Sequence, residues 1–314
     1  MDILSEILHT AGLRRRLLDS HALTRQDGLR FPCERSLGLH AVTRGQAYLH
    51  APNLNQPLNL QTGDLVLMAR GSVHTLSLGP QPPTQVQPMP PAEPNYPAPQ
   101  ADEPSARVIS AAYQLWHAPL HPFLRQLPPW YVLRGHSLPA LSPLPLTLGL
   151  LDAELRADAP GQTSATHGLL DALVAFTLRE VAQRAQPDQP SWSHAISDRP
   201  IRQALNLMHR DLSHGWTLET LGQQVGLSRS ALAERFRGAL GDTPLNHLRT
   251  LRMQKAMQLL CETPQTLEQI AQAVGYQDAF GFSKVFKRTT GRSPRQFREQ
   301  DAQDRQHPFR FQTA

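Results

Sequence analysis

The chain has 314 residues, 40% of them hydrophobic and 18% charged, a formal net charge of +5 and two cysteines, Cys33 and Cys261. That length holds two domains with cores of their own, no apolar run reaches the ~18 residues that would span a bilayer, and two distant cysteines exclude a disulfide framework. With no apolar signal stretch after Met1-Asp2-Ile3-Leu4 either, a cytoplasmic protein without membrane contact is expected.

In chain order, Ile3, Leu4, Ile7, Leu8 and Leu13 stand at helical spacing, so residues 1–18 are expected to form an amphipathic helix ending in Arg14-Arg15-Arg16. From His21 to Leu78 short apolar runs alternate with Gly, Pro and Asn, which predicts strands at Leu37–Val42, Ala47–His50, Leu58–Leu60, Leu65–Met68 and Thr75–Leu78. Many short strands at this spacing read as a sandwich or barrel. Gly79–Pro104 is a proline-dense insert read as a solvated loop, and Arg107–Tyr113 resumes the β-domain. Residues 144–185 are helical in pattern. Their apolar face from Leu169 to Val181 reads equally as a homodimer interface and as packing on the chain's own barrel. The first domain is thus expected over 1–185, a linker over 186–197, a helical module over 198–300 and a polar tail over 301–314.

The module carries the basic excess: residues 199–300 hold 15 Lys/Arg against 8 Asp/Glu, whereas residues 1–198 hold 14 against 16. It also contains one pattern twice. Phe236, Gly241, Thr243 and Pro244 recur 50 residues on as Phe286, Gly291, Ser293 and Pro294. Thr217 is expected to cap a helix at Leu218–Val225, Gly226 to end it, and Ser228 to cap a second helix at Arg229–Ala239. Thr243-Pro244 opens a long helix to Leu260. Thr266 then caps Leu267–Val274, Gly275 turns, and Asp278 caps Ala279–Thr290. Each unit is a helix-turn-helix, and two in tandem predict binding of double-stranded DNA.

Gly275-Tyr276, Phe286-Lys287-Arg288 and Gly291-Arg292-Ser293-Pro294 with Phe297-Arg298 make this segment resemble the DNA-binding module of the AraC/XylS family of bacterial transcription regulators. Gly281 departs from the family pattern, which usually has an aromatic there. The resemblance implies a sequence-specific regulator of promoter DNA, more often an activator that touches RNA polymerase. By position in the two units, the expected DNA contacts are Ser228, Arg229, Ser230 and Arg235 in the first. In the second they are Gln277, Asp278, Ala279, Lys284, Lys287 and Arg288. Phosphate contact or plain solvation competes with base reading for each cation, and capping competes with reading for Asp278.

Gly63-Asp64-Leu65-Val66-Leu67-Met68-Ala69-Arg70-Gly71-Ser72-Val73-His74 resembles a cupin motif, and Leu39-His40-Ala41-Val42-Thr43-Arg44-Gly45 a thinner one with Arg44 at a ligand position. The whole is expected to be multidomain α+β: a cupin-like β-barrel with trailing helices, then an all-α tandem helix-turn-helix domain. Its barrel is expected to sense a small molecule or a reactive species. His40 and His74 are the candidates for an effector or metal-ion site, and Cys33, between Arg30 and Arg35, for a redox sensor. A metal-dependent cupin enzyme fused to a DNA-binding domain, and a ligand-independent regulator, are the competing readings. The enzyme would need ligands beyond the two histidines, so a non-enzyme is expected.

Overall fold

In the computed structural model the described residues are 13–23, 28–32, 36–84, 86–88, 106–115, 120–157, 159–184 and 192–306. They sort into two compact units. One takes 14–115 and 127–178, the other 120–126 and 179–306, within those limits. The strands are β1 (Leu13–Leu23), β2 (Gly28–Pro32), β3 (Ser36–His50), β4 (Leu58–Gln61), β5 (Leu65–Met68), β6 (Val73–Ser77), β7 (Val86–Pro88), β8 (Ala106–Leu115) and β9 (Trp130–Leu133). Residues 13–18 are therefore strand where a helix was expected; residues 1–12 lie outside the described residues, as do 89–105 of the proline-rich insert. Leu13 and Leu17 satisfy helical spacing, but the strand takes a place beside β8, and non-local pairing overrides the local period.

β3 organises the β-unit. Its first half pairs with β8 and β5 (Gly38↔Ala112, Gly38↔Met68), and its second half with β4 and β6 (Leu49↔Leu58, Leu49↔Leu76). Between them the register shifts at Val42/Arg44, and Gly45 takes φ 76°, a conformation open to glycine. The two predicted strands are thus one bent strand shared by two layers. Because its halves serve different layers, the path β1-β8-β3-β6-β2-β7, with β4, β5 and β9 branching from it, does not close among the described residues. The domain is an open, two-layered form of the expected cupin-like barrel. Between the layers lies a core of Phe31, Val42, Leu49, Leu60, Val66, Met68, Leu76 and Val108.

The Gly63-Asp64 turn is a structural joint. The buried Asp64 carboxylate accepts from the Gly135 amide (2.8 Å), from Arg134 (2.7 Å) and from the Gln61 amide (3.1 Å). A Cβ on Gly135 would stand 2.6 Å from the Gly63 carbonyl, so only glycine fits there.

The helices are α1 (Pro122–Gln126), α2 (Pro143–Arg156), α3 (Gln162–Gln183), α4 (Trp192–Ser197), α5 (Arg199–Arg210), α6 (Leu218–Val225), α7 (Arg229–Leu240), α8 (Pro244–Glu262), α9 (Leu267–Ala273), α10 (Ala279–Thr290) and α11 (Pro294–Gln306). Leu170, Leu173, Val174 and Leu178 of α3 are buried within the chain, so of the two readings of that face the structure favours internal packing. Residues 192–197 of the segment read as a linker form α4. α1 stands between β8 and β9 in sequence but belongs to the helical unit. There Phe123 packs edge-on against Trp192, and Gln126 donates to the Leu240 carbonyl (2.6 Å).

Around α1 the helical unit gathers three histidines, His121 and His247 buried and His209 half-buried. His121 lies 5.8 Å from His209 and 6.5 Å from His247, ring centre to ring centre, with Trp192 against both His121 and His247. Burial lowers all three, His209 to about 4 and His247 to about 3, so each is neutral at pH 7.

Candidate nucleic-acid interface and effector site

Both helices of each helix-turn-helix unit begin on a cap that the sequence announces. Thr217 and Thr220 form a reciprocal capping box at α6, and Thr266 and Gln269 repeat it at α9. Gly226 at φ 72° and Gly275 at φ 78° make the turns. At Gly222 a Cβ would lie 2.6 Å from the Leu227 carbonyl, so the turn folds back directly onto α6. Ser228 then caps α7 through the Ala231 amide (3.2 Å), and Asp278 caps α10 through the Gly281 amide (2.7 Å). Leu232, Phe236, Phe282 and Phe286 face the cores, all fully buried.

The outward faces carry most of the residues expected to meet DNA. Ser228, Arg229 and Ser230 are exposed at the start of α7, with Arg229 3.5 Å from Glu219. Gln277 and Asp278 are exposed and Ala279 half-buried at the start of α10, with Lys284, Lys287 and Arg288 exposed along it. Arg235 stands apart from this group: its Nε lies 2.5 Å from Asp198, the residue that caps α5. Two further arginines are spent on structure. Arg252 donates to the Leu212 and His214 carbonyls, and Arg298 to the Leu260 and Gln265 carbonyls. Sequence reading could not separate these anchoring guanidinium groups from the outward ones, because the partners are backbone carbonyls 33 to 40 residues away.

In the β-unit His40 and His74 come together, each 1% exposed. The hydrogen bonds fix their tautomers. The Ser72 carbonyl can only accept, so His74 Nδ1 carries a proton (2.7 Å). Neutral His74 then accepts at Nε2 from His40 Nε2 (2.6 Å), and His40 Nδ1 accepts from the Ser110 hydroxyl (2.8 Å). Phe31 stacks on His74 and meets His40 edge-on. Burial pulls the His74 pKa down to about 4 and, with His74 beside it, holds His40 well below its ordinary value.

His74 also lines a cavity of about 440 Å³ with His50, Leu54, Asn55, Gln56 and Val73. Among the described residues its walls contain no Asp, Glu, Lys or Arg. This cavity was not legible from sequence, because its walls join strand residues His50, Val73, His74 and Thr75 to loop residues between 51 and 57, brought together only by the β3–β6 pairing. The donor set does not fit a catalytic cupin metal centre: the two imidazoles bond each other, Arg44 is exposed, and no group of three or more His, Cys, Asp or Glu could hold a metal among the described residues. Cys33 lies outside the described residues. Among those residues no helix is long and apolar enough to cross a membrane.

A cupin family model matches residues 2–183, more than half of the chain, and a helix-turn-helix domain model matches residues 221–300. An AraC-like transcription regulator from Streptomyces lividans is 27% identical over 95% of this chain and 98% of its own length. This chain is an AraC-type transcription regulator with a cupin-type N-terminal domain. The regulator is also similar to the HTH-type transcriptional activator RclR of Escherichia coli K12, 27% identical over 83% of each chain. Among solved structures, an AraC-type regulator from Chromobacterium violaceum is 30% identical, with a TM-score of 0.32, and covers 34% of this chain and 96% of its own.

Proposed function

We propose that α7 and α10 enter consecutive major-groove segments of promoter DNA, and that an uncharged small molecule held beside His74 governs this binding. The observation that carries the reading is the duplicated, capped helix whose outward face is basic in both copies. Residues at the start of such a helix meet base edges, and cations further along meet phosphates. We assign base reading to Arg229 and Ser230, phosphate contact to Lys284, Lys287 and Arg288, and capping to Ser228 and Asp278. Arg235 is assigned to holding α5 through Asp198.

The 19 residues of α8 span ~28 Å at 1.5 Å per residue, a rod of the length needed to hold two heads about one turn of B-DNA apart. Activation is the direction supported by relatives named as activators, RclR and the 34% identical RhaR of Klebsiella pneumoniae, which matches over 46% of this chain, and we place it in the cytoplasm, through contact with RNA polymerase. An effector without charge suits the cavity, since the neutral His74 imidazole and amide side chains line it and, among the described residues, no Asp, Glu, Lys or Arg there would balance a charge. No catalytic role is assigned to His40 and His74.

Binding of duplexes from the protein's own promoter region, titrated against salt, tests the reading. The log–log slope should be about −0.9 per neutralised phosphate. Arg229→Ala should cost about 1–3 kcal/mol and relax preference at one base position. A flat salt dependence would sink the DNA reading; uniform weakening by Arg229→Ala across all sequences would move that residue to the backbone.

A further inference from the structure

Phe280 is 82% exposed, although every other aromatic of the second unit has a place in its core. Phe282 and Phe286 are fully buried, and Tyr276 and Phe297 pack against them. Phe280 therefore adds little to the folding of the unit, and a phenyl left in water needs another account. The aromatic missing at Gly281 stands one residue earlier, and one residue on a helix is a rotation of about 100°, which takes the ring from the flank to the outer face.

That face is the one already assigned to DNA. Phe280 occupies the second position of α10, within the turn capped by Asp278. Lys284 follows one turn on, and Lys287 and Arg288 a further turn on, all exposed. The 50-residue repeat places Phe280 on Ser230, which is exposed at the start of α7. The two heads thus differ in chemistry. The first opens with Arg229 and Ser230, which hydrogen-bond; the second opens with Ala279 and Phe280, which do not. The Asp278 carboxylate at the same end is engaged by the Gly281 amide.

We propose that Phe280 is a specificity-determining residue that reads the C5-methyl groups of thymine in the second major-groove segment. Of the base edges in that groove, the thymine methyl is the one an apolar side chain recognises. The three cations on the same face make a phosphate-bearing duplex the fitting occupant, with charge complementarity that a hydrophobic protein patch would lack. The inference rests on the assignment of α10 as the second reading helix.

The test uses the full chain. Duplexes are enriched from a randomised pool by the wild-type protein, and each thymine is then replaced singly by deoxyuridine, which removes only the methyl. Affinities are measured for wild type, Phe280→Ser and Lys284→Ala. Wild type should lose about fourfold at one or two thymines in one half of the site, the worth of one buried methyl-sized group. Phe280→Ser should bind the thymine duplex more weakly and ignore the same replacements, while Lys284→Ala should weaken all duplexes and keep the wild-type profile. Identical profiles for wild type and Phe280→Ser would overturn the proposal. Normal DNA binding by Phe280→Ser with lost transcription would also overturn it, placing the ring on a protein instead. Failure of wild type to enrich any duplex would be a different result, removing the DNA reading itself.

Discussion

At the scale of residues, the Ser110–His40–His74–Ser72 line is a one-way chain of donors in which each group has one role. Ser110 is fully buried on β8 and gives its hydroxyl proton to His40 Nδ1. Removing that donor strands a buried ring nitrogen, which costs about 1–3 kcal/mol. Ser110→Ala should therefore lower the unfolding free energy measured by denaturant titration by that amount, whereas Ser110→Thr, which keeps the hydroxyl, should recover part of it. Equal stability of Ser110→Ala and wild type would mean that His40 re-pairs and that the tautomer assignment is wrong. Legibility in sequence differed sharply here. His40 and His74 were visible because a glycine-bounded strand pattern delivers them, but their direct bond depends on β2 pairing Phe31 with His74 and on β3 meeting β6. Such contacts are non-local and leave no spacing to read.

At the scale of elements, the helical module was legible because each helix carries its own start and stop. The caps Thr217, Ser228, Thr243, Thr266 and Asp278 all accept the amide three residues on. The strands carry no such marks, so β1 passed for a helix and the bend in β3 passed for a break. α1, only five residues long, was invisible for the same reason. Asp278 allows capping and base reading to be separated. Asp278→Ala should cost about 1 kcal/mol of stability, and Asp278→Ser, another good cap, should restore it. DNA affinity that follows stability through both variants identifies a cap; affinity lost in the stable Asp278→Ser would make the carboxylate a reader.

At the scale of the whole molecule, the buried histidines set a pH dependence. In the folded chain His209 and His247 hold pKa values of about 4 and 3, and His121, His40 and His74 also lie below 6.5. Unfolded, each takes up a proton as pH falls through 6.5. The unfolded state then binds more protons than the folded one, and stability is lost progressively from about pH 6.5 down towards 4. Each imidazole contributes up to about 1.4 kcal/mol per pH unit in that window. Arg125 adds to the resistance of His247 to protonation. Urea unfolding at pH 7 and pH 5 should show the loss, and His247→Phe should reduce the slope by about one proton. A slope unchanged by that substitution would show that His247 is not held neutral by its surroundings.

The position of α1 gives the chain an unusual grammar. A strand of one unit is followed by a short phrase belonging to the other, Phe123 and Leu124 at its centre and both buried, before the first unit resumes with β9. Cutting the gene near residue 198 would look like a clean division between sensing and DNA-binding halves. It would in fact deliver a helical unit without Phe123 and Trp192, which pack edge-on, and without the hydrogen bond that Gln126 donates to the carbonyl at the end of α7. A regulator assembled by joining a foreign sensing half at that seam would inherit a foreign α1 too, so the two halves of this protein can be exchanged only together with those few residues.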